Sequence, residues 1–357
     1  MKKKRVFKFL VILFLVVFIY SAISIQKGEG QPVEVQQVSV IKNIGEGIYG
    51  QKIKDKIKFI KVLSLGAEAD NAPDYLMFGR NINVEIDQGQ NLFVLDEQNS
   101  RLMKFDQNGR FLWKASRKGQ GPGEIEAPFG MKLTEDGGIA IIDQGGKINY
   151  FDGNGNFLKL VRMAKEIKSI ISFSKGKIFA NLFIHGQPGI TAAWFSENGE
   201  LIDYFPVEYY YGPKLSGRLA YDLGAKFILG GDQLYLSLPD KYEIQIYSLK
   251  GQLLRRVIRD VKIRPPFLEE GYRFVVKDIS GPAQLISNGF LINELSLDAW
   301  TEAGKKYIDF FNKDFQFLGS YPVPKNAYLA RVDKDDNFYF VEIDSWVKII
   351  KYKLKID

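Results

Sequence analysis

The sequence predicts an all-β fold, a six-bladed β-propeller that follows an N-terminal signal or transmembrane helix. Three observations predict it. Short apolar segments rich in Phe, Tyr, Val and Ile alternate with polar turns along most of the chain. A hairpin motif recurs at a spacing of about 40–50 residues, which is typical of a propeller blade. The last repeat lacks one strand, and a surplus strand lies soon after the leader.

The N-terminal segment Met1–Gly30 has the pattern of an export signal. A basic start precedes the apolar run Phe9–Tyr20, and Ala22–Ser24 offers small residues for cleavage. Because the positive charges come first, we expect the N-terminus to stay in the cytoplasm and the rest to be exported across the inner membrane. The leader is either cleaved or retained. We favour an uncleaved anchor, so the protein is expected to be membrane-anchored or periplasmic.

Charge and composition exclude several functions. The net charge is +7, and five positive charges lie in the leader (Lys2, Lys3, Lys4, Arg5 and Lys8), which leaves +2 for the remainder. This near balance argues against a nucleic-acid partner. The chain has no Cys and one His, so thiolate metal sites, a Cys nucleophile and a multi-His zinc site are excluded.

The leader is followed by a weakly patterned segment, residues 31–57, which we interpret as a linker with one short strand at Val33–Ile41. The next segment, Lys58–Leu65, is a clear strand. The loop Gly66–Arg80 then leads into the repeats.

Each repeat ends in a hairpin that is rich in glycine. Phe105–Leu112 is matched by Phe151–Leu158, and the turn glycines are Gly109, Gly155, Gly199 and Gly251, with Asp314 in a degenerate copy. Asn-Gly suits a type I′ turn, which we therefore predict. A further β pair precedes each hairpin, so the unit is a four-stranded antiparallel blade.

Counting predicts five complete blades followed by three strands, Tyr328–Val332, Phe338–Ile343 and Val347–Tyr352. We expect Lys58–Leu65 to supply the missing fourth strand. That pairing closes the ring and removes exposed sheet edges. The predicted propeller domain is therefore 58–357, with six blades.

The first blade contains a spacing of polar residues, Asp96, Asn99 and Arg101, that resembles the NHL repeat. The connection that follows it contains Gly119, Gly121, Gly123 and Glu124. Together these features resemble the exported six-bladed β-propeller proteins of bacteria, an NHL-like family. The resemblance covers about Lys58–Leu160 and implies the fold and a scaffold role without a defined activity.

These motifs favour structural roles. Asp96 can accept backbone N–H groups in its turn, and Arg101 can pair with a carboxylate. The run Gly119–Gly123 does not join a strand to a helix, as a phosphate-binding loop does. We therefore interpret it as a connector between blades.

The two ends of the predicted ring differ. Turns between strands 1 and 2 and between strands 3 and 4 are short, and we call their side the short-turn end. Turns between strands 2 and 3 and the connections between blades are long, and we call their side the long-loop end. Long loops on a rigid scaffold are where binding usually occurs. The predicted ligand-binding face at the long-loop end contains Asp96, Asp143, His185, Tyr210, Tyr211, Tyr242, Trp300 and Trp346.

Two functions remain open. We favour a non-catalytic, membrane-tethered binding scaffold for a protein, peptide or glycan. The alternative is a propeller enzyme, similar to lactonases or lyases, with a metal in the central channel. No catalytic residues, metal ligands or cofactor are assigned, although oxygen ligands for Ca²⁺ are an alternative.

Overall fold

The structure is a computed structural model that describes residues 38–44, 57–182, 190–207, 227–238, 241–263, 267–268, 275–276, 283–297, 304–324 and 326–356. Two strands come first, β1 (Ser39–Asn43) and β2 (Ile57–Gly66). Within these ranges the only helical element is a 3-10 turn, Asp74–Leu76. No helix in these ranges is long and apolar enough to cross a membrane. The predicted leader, Met1–Gly30, lies outside them.

Five blades follow, each an antiparallel sheet in which consecutive strands pair. Blade 1 is β3 (Ile82–Ile86), β4 (Leu92–Asp96), β5 (Arg101–Phe105) and β6 (Phe111–Ala115). Blade 2 is β7 (Pro128–Leu133), β8 (Ile139–Asp143), β9 (Lys147–Phe151) and β10 (Phe157–Arg162). Blade 3 is β11 (Ile167–Ser174), β12 (Lys177–Leu182), β13 (Ile190–Ser196) and β14 (Leu201–Val207). Blade 4 is β15 (Ile228–Gly230), β16 (Gln233–Ser237), β17 (Glu243–Ser248) and β18 (Leu253–Arg259).

A two-stranded pair, β19 (Phe267–Leu268) and β20 (Val275–Val276), separates blade 4 from blade 5. Blade 5 is β21 (Gln284–Leu285), β22 (Leu291–Leu297), β23 (Lys305–Phe311) and β24 (Phe317–Val323).

The last three strands form blade 6 with the early strand β2. They are β25 (Ala327–Val332), β26 (Asn337–Ile343) and β27 (Val347–Ile356). The strand order is β2-β27-β26-β25, and Ile57 lies opposite Ile356 while Gly66 lies opposite Lys348. The all-β, six-bladed propeller predicted from the sequence is confirmed.

The burial of each strand follows from its position in the ring. The first strands of adjacent blades contact one another, β3 with β7, β7 with β11 and β25 with β3, so they form the inner ring. Middle strands such as β4 and β8 are buried along their whole length, because both faces of the sheet pack against neighbouring blades. Outer strands such as β6 are not, and their side chains alternate in exposure. Six apolar clusters result, one at each junction between blades.

The predicted type I′ turns are wrong in detail. Gly109 has φ +82°, but Asn108 is not in the left-handed region. A β-bulge at Phe105, before the turn, shifts the register between β5 and β6. This is a longer loop, closed by the Asp106 backbone N–H bonded to the Arg110 carbonyl at 2.9 Å. The Asp106 side chain stabilises it by accepting the N–H groups of Asn108 and Arg110, each at 2.9 Å. In blade 5 the left-handed residue is Phe315, φ +61°, and not Asp314.

The predicted linker 31–57 is not wholly a linker. Ser39–Asn43 forms β1, which pairs in parallel with the outer strand β18 and gives blade 4 a fifth strand. The compact unit that holds the propeller therefore starts at Val38. The predicted strand at 33–41 overlaps β1 only in part, because its N-terminal residues lie outside the described ranges.

Candidate functional site

Asp96 ends β4 at the long-loop end, where its buried carboxylate holds the β4–β5 turn together. Oδ1 accepts the backbone N–H of Asn99 at 3.1 Å, and Oδ2 accepts the Asn99 side-chain amide at 2.8 Å. Arg101 donates to Oδ2 from Nε and Nη2 at 3.1 and 3.0 Å, and the Gly79 N–H adds a bond of 3.1 Å. Of the predicted motif residues, Asn99 and Arg101 thus both bond to Asp96. Both oxygens of Asp96 are engaged within the protein.

Asp143 occupies the same place at the end of β8. It is 2% exposed, and it accepts the backbone N–H groups of Glu126, Ala127 and Gln144 at 2.8–3.0 Å. The first two belong to the connection from blade 1. Asp143 therefore attaches that connection to the edge of blade 2.

The glycine-rich connection is closed by Glu124. Its carboxylate accepts the Gly121 N–H at 2.9 Å and the Arg117 Nε–H at 2.7 Å. A Cβ at position 119 would lie 2.0 Å from the Glu124 Oε2 atom, so a side chain there would displace the Glu124 carboxylate from this position. The chain continues into the strand β7, as expected of a connector between blades.

Tyr242 lies at the long-loop end, in the turn between β16 and β17, and its hydroxyl enters a buried polar network. It donates to Asp309 Oδ2 at 2.5 Å, and Arg259 and Ser320 also donate to the Asp309 carboxylate. Burial and the Asp309 carboxylate raise the pKa of Tyr242 well above its ordinary value, so its hydroxyl stays protonated as a donor. Because Asp309 is on blade 5, the network joins blades 4 and 5.

Arg259 is fixed from both sides in this network. It ends β18, is 4% exposed, and its guanidinium lies 3.8 Å from the ring centroid of Phe317 and 5.3 Å from that of Tyr242. Its backbone N–H donates to the Tyr242 carbonyl at 3.1 Å. A cation that lies over two aromatic rings and is paired with a buried acid is held rigidly.

A cleft of about 260 Å³ opens beside this network, and we call it the blade 4 cleft. Its walls combine exposed lysines, half-buried apolar side chains and the buried polar residues of the network: Lys241, Tyr242, Glu243, Ile258, Arg259, Val261, Lys262 and Ile263. It lies between the β16–β17 turn and the start of the connection to blade 5. It is therefore part of the long-loop end.

Glu243 is the acidic residue of the blade 4 cleft, and neighbouring cations balance its negative charge. Arg256 binds it with two hydrogen bonds, at 2.7 and 2.8 Å, and Lys241 Nζ lies 3.2 Å away. Burial by itself raises the pKa of Glu243, but the hydrogen bonds from Arg256 and Gln245 outweigh it and lower the pKa to about 2. The exposed cations among the cleft residues are Lys241, which also pairs with Glu243, and Lys262. The cleft therefore suits an anionic group beside an apolar one.

The other predicted face residues are described only in part. Trp346 is half-buried in the β26–β27 turn, at the same end of the ring as Asp96, Asp143 and Tyr242 but on another blade. His185, Tyr210, Tyr211 and Trp300 lie outside the described residues. Among the residues that the structure describes, no three acids or histidines are grouped so that they could hold a metal ion.

Sequence reasoning missed the partners of Tyr242, namely Arg259, Asp309 and Ser320. One signal was available in the sequence, because Asp309 is a lone acid in the apolar stretch Tyr307–Phe311, and the structure shows it completely buried. A buried acid demands a partner. The identity of that partner, fifty residues earlier in the chain, could not be inferred from local sequence.

Comparison with known proteins assigns the fold to a family. Residues 36–259 match the model of DUF5128, the 6-bladed beta-propeller family, so the chain belongs to that family. The match spans β1, β2 and blades 1 to 4. It confirms the predicted membership of a six-bladed propeller family, while the NHL-like character stays a prediction. The comparison with curated proteins finds no match.

Solved structures are similar at the level of the fold. A Bacteroides fragilis protein assigned as exported shares 14% identity at a TM-score of 0.57, with 89% of this chain and 100% of that chain covered. A member of the DUF4221 family from Bacteroides vulgatus shares 11% identity at a TM-score of 0.55, with 85% and 99% covered. At such identities only the architecture is shared.

Proposed function

We propose that this propeller is an exported, membrane-tethered, non-catalytic scaffold that binds a protein, peptide or glycan at its long-loop end. The observation that carries the proposal is the blade 4 cleft, which joins a rigid buried network to two exposed lysines. Such a surface provides orientation and charge to a ligand. Preorganised side chains reduce the entropy lost on binding.

Export and tethering follow from the leader, with its basic start and apolar run. The similar Bacteroides fragilis protein assigned as exported is in line with that proposal. A propeller outside the cytoplasm meets secreted proteins, peptides and surface glycans, which are the ligand classes proposed here.

The state of three buried acids, two at the long-loop end and one inside β23, supports binding over catalysis. Asp96, Asp143 and Asp309 each accept at least three hydrogen bonds from the protein itself. General acid–base catalysis needs a carboxyl group that can reach a substrate. These three carboxylates are engaged in holding turns and blades together.

The chemistry of the cleft narrows the ligand. Lys241 and Lys262 attract carboxylates, and Ile258, Val261 and Ile263 offer an apolar wall. A peptide with an acidic residue next to an aliphatic or aromatic one fits these features, as does a glycan with an acidic sugar. Electrostatic attraction of this kind chiefly raises specificity and the association rate.

A paired charge reversal tests the proposal. Ligands are selected with the full chain from a random peptide display library and from an array that includes acidic glycans. Reversing the charges of Lys241 and Lys262 (K241E/K262E) is expected to lower the affinity for the selected ligands by about tenfold or more. The matched control is K250E/K313E, which makes the same charge change in the exposed hairpins of blades 4 and 5 at the opposite end. An equal loss of affinity in both variants, or no loss of affinity in either, would contradict the proposal.

A further inference from the structure

The outer edge of blade 4 already holds a short extended segment, β1. The ring is closed without it, since β2 completes blade 6 and every blade has four strands of its own. β1 is five residues long and pairs with β18 in parallel, from Ser39 opposite Arg255 to Asn43 opposite Arg259. It is therefore an additional strand on a finished sheet, in the manner of a peptide bound by β-augmentation.

Alternate side chains of β1 face the protein. Ile41 packs against the apolar cluster between blades 4 and 5, and Asn43 is half-buried. Val40, Lys42 and Ile44 are exposed, Val40 at 45% and Ile44 at 67%. Ser39 is exposed too, but its hydroxyl accepts a hydrogen bond from Arg255, so the segment contacts the protein through positions 39, 41 and 43, as expected for a strand bound along one face.

Asn43 makes the most specific contacts of β1. Its amide nitrogen donates to the Phe315 carbonyl at 3.2 Å and to the Ile258 carbonyl at 3.4 Å, and its amide oxygen accepts the Phe317 N–H at 2.8 Å. Its backbone carbonyl accepts the Asp260 N–H at 2.9 Å. One side-chain amide therefore forms hydrogen bonds to both blade 4 and the hairpin of blade 5. An Asp here would lose the two donated bonds.

The blade 5 hairpin departs from the repeat where Asn43 meets it. Phe315 has φ +61° at the position that glycine fills in the equivalent hairpins of blades 1 to 4. That backbone conformation is costly for a bulky residue. Phe315 is nonetheless 8% exposed, packed in the cluster between blades 4 and 5, with its carbonyl bonded to Asn43. A special hairpin thus forms one wall of the β1 site.

β1 is an imperfect ligand for this edge. The Arg255 guanidinium lies over the Phe315 ring at 4.7 Å, and its Nε donates to the neutral hydroxyl of Ser39 at 3.0 Å. An acidic side chain at that position would replace a neutral acceptor by a charged one, and charge-assisted hydrogen bonds are roughly twice as strong. β1 itself carries Lys42 and no acid.

We propose that the outer edge of blade 4 is a strand-binding site that β1 occupies in cis, and that its ligand in trans is an extended acidic segment of a partner protein. The segment carries Asp or Glu, then an aliphatic residue two positions on, then Asn two positions further. Main-chain pairing with β18 supplies affinity, and Arg255, the apolar cluster and the blade 5 hairpin supply specificity. This site adjoins the blade 4 cleft and shares Ile258 and Arg259 with it. Arg255 and the blade 5 hairpin lie outside the cleft lining, so the R255Q and K241E/K262E variants let either proposal fail alone.

Labelled heptapeptides test the site in the full chain. The first peptide has the sequence of residues 38–44 with S39D, and the second carries S39D together with N43A. The protein is used as wild type and as the variant N43A, which weakens β1 in cis. We expect the first peptide to bind the N43A protein about tenfold more tightly than the wild type, because several hydrogen bonds of the competing strand are lost. The second peptide is expected to bind neither protein measurably.

A third variant checks the charge. A peptide with the unmodified sequence of residues 38–44 is the reference ligand. In N43A/R255Q, the S39D peptide should bind no more tightly than this reference peptide. I41A, which weakens β1 without removing the Asn43 contacts, is the second way to loosen the strand should N43A not fold. Equal binding of both peptides, or no binding to N43A and I41A, would overturn the proposal. A concentration-dependent dimer of N43A would also overturn it, because a second copy would then be the ligand.

Discussion

Asp96 and Asp143 show how one residue type serves one structural purpose in successive blades. Each ends the second strand of its blade, is buried, and accepts several N–H groups from a turn or connection. A carboxylate suits this place because its two oxygens can accept several bonds at once. Acids placed in this way look like candidates for a binding face in the sequence. In the folded protein their oxygens are already used.

Replacing Asp96 should test that interpretation. D96A leaves the Arg101 guanidinium, whose side chain is 12% exposed, without its buried carboxylate, and only the exposed carboxylate of Asp74 remains, 3.6 Å away. Removing one partner of a buried pair costs about 3–5 kcal/mol, so we expect a loss of that size in the free energy of unfolding measured in urea.

The control is D106A, which removes a half-buried Asp from a hairpin turn of the same blade. It should cost about 1 kcal/mol, as the loss of a local side-chain bond does. The same unfolding midpoint for both variants would show that Asp96 is not a structural anchor.

At the scale of the element, the repeated hairpin glycines are contacts between blades as well as turn residues. A Cβ at Gly109 would lie 2.9 Å from Leu63 of β2, and one at Gly155 would lie 2.9 Å from Trp113 of β6. Gly199 and Gly251 approach β10 and β14 in the same way. Each 3–4 hairpin therefore rests on the outer strand of the preceding blade, and a side chain there would push two blades apart.

A pair of glycine substitutions separates the cost of the left-handed backbone conformation from the cost of the clash between blades. Gly251 and Gly137 have nearly the same φ, +81° and +82°, but a Cβ would lie 2.5 Å from Phe205 at Gly251 and meets nothing within 4 Å at Gly137. G137A should cost only the left-handed backbone penalty, about 1–2 kcal/mol. G251A should cost about 1–3 kcal/mol more because of the clash.

Thermal and urea unfolding of both variants measure the difference. Equal losses would mean that blades 3 and 4 move apart freely at this contact.

At the scale of the whole molecule, stability depends on closing the ring. Six apolar clusters join six blades, and β2 takes part in two of them, with Ile57 between blades 5 and 6 and Leu65 between blades 6 and 1. Phe59 adds a ring contact to Tyr321 of blade 5, with centroids 4.6 Å apart. One strand from the start of the domain thus binds both neighbours of the last blade.

Two substitutions in β2 test this dependence. Leu65 is 4% exposed, and Val62, at the bulge in the same strand, is 51% exposed. L65D places an unpaired charge in the junction between blades 6 and 1, with an expected cost on the order of 5 kcal/mol. V62D should change stability by about 0.5 kcal/mol or less.

We expect L65D to lower the unfolding temperature sharply and to aggregate in light scattering, since an opened ring exposes sheet edges. V62D should behave as the wild type. A stable, monodisperse L65D protein would show that closure by β2 is not what holds the ring.

The sequence alone determined the features that rest on local chemistry. Apolar runs, the spacing of the hairpins and the three-stranded last unit are short-range patterns, and together they sufficed for the fold class and the number of blades. The role of Glu124 in closing the glycine-rich connection is local too, because its partner Gly121 is three residues away.

Only the tertiary structure decided what lies between blades. Arg259 meets Asp309 across fifty residues, Asn43 meets Phe315 across 272, and the blade 4 cleft and the β1 site depend on those contacts. The sequence marked the residues 31–57 as a linker with one short strand at Val33–Ile41, but it did not indicate that this segment joins a blade, because a five-residue edge strand has little pattern of its own. Its structure comes from the sheet it joins. Contacts between distant segments depend on how the blades are arranged around the ring, and no local pattern encodes that arrangement residue by residue.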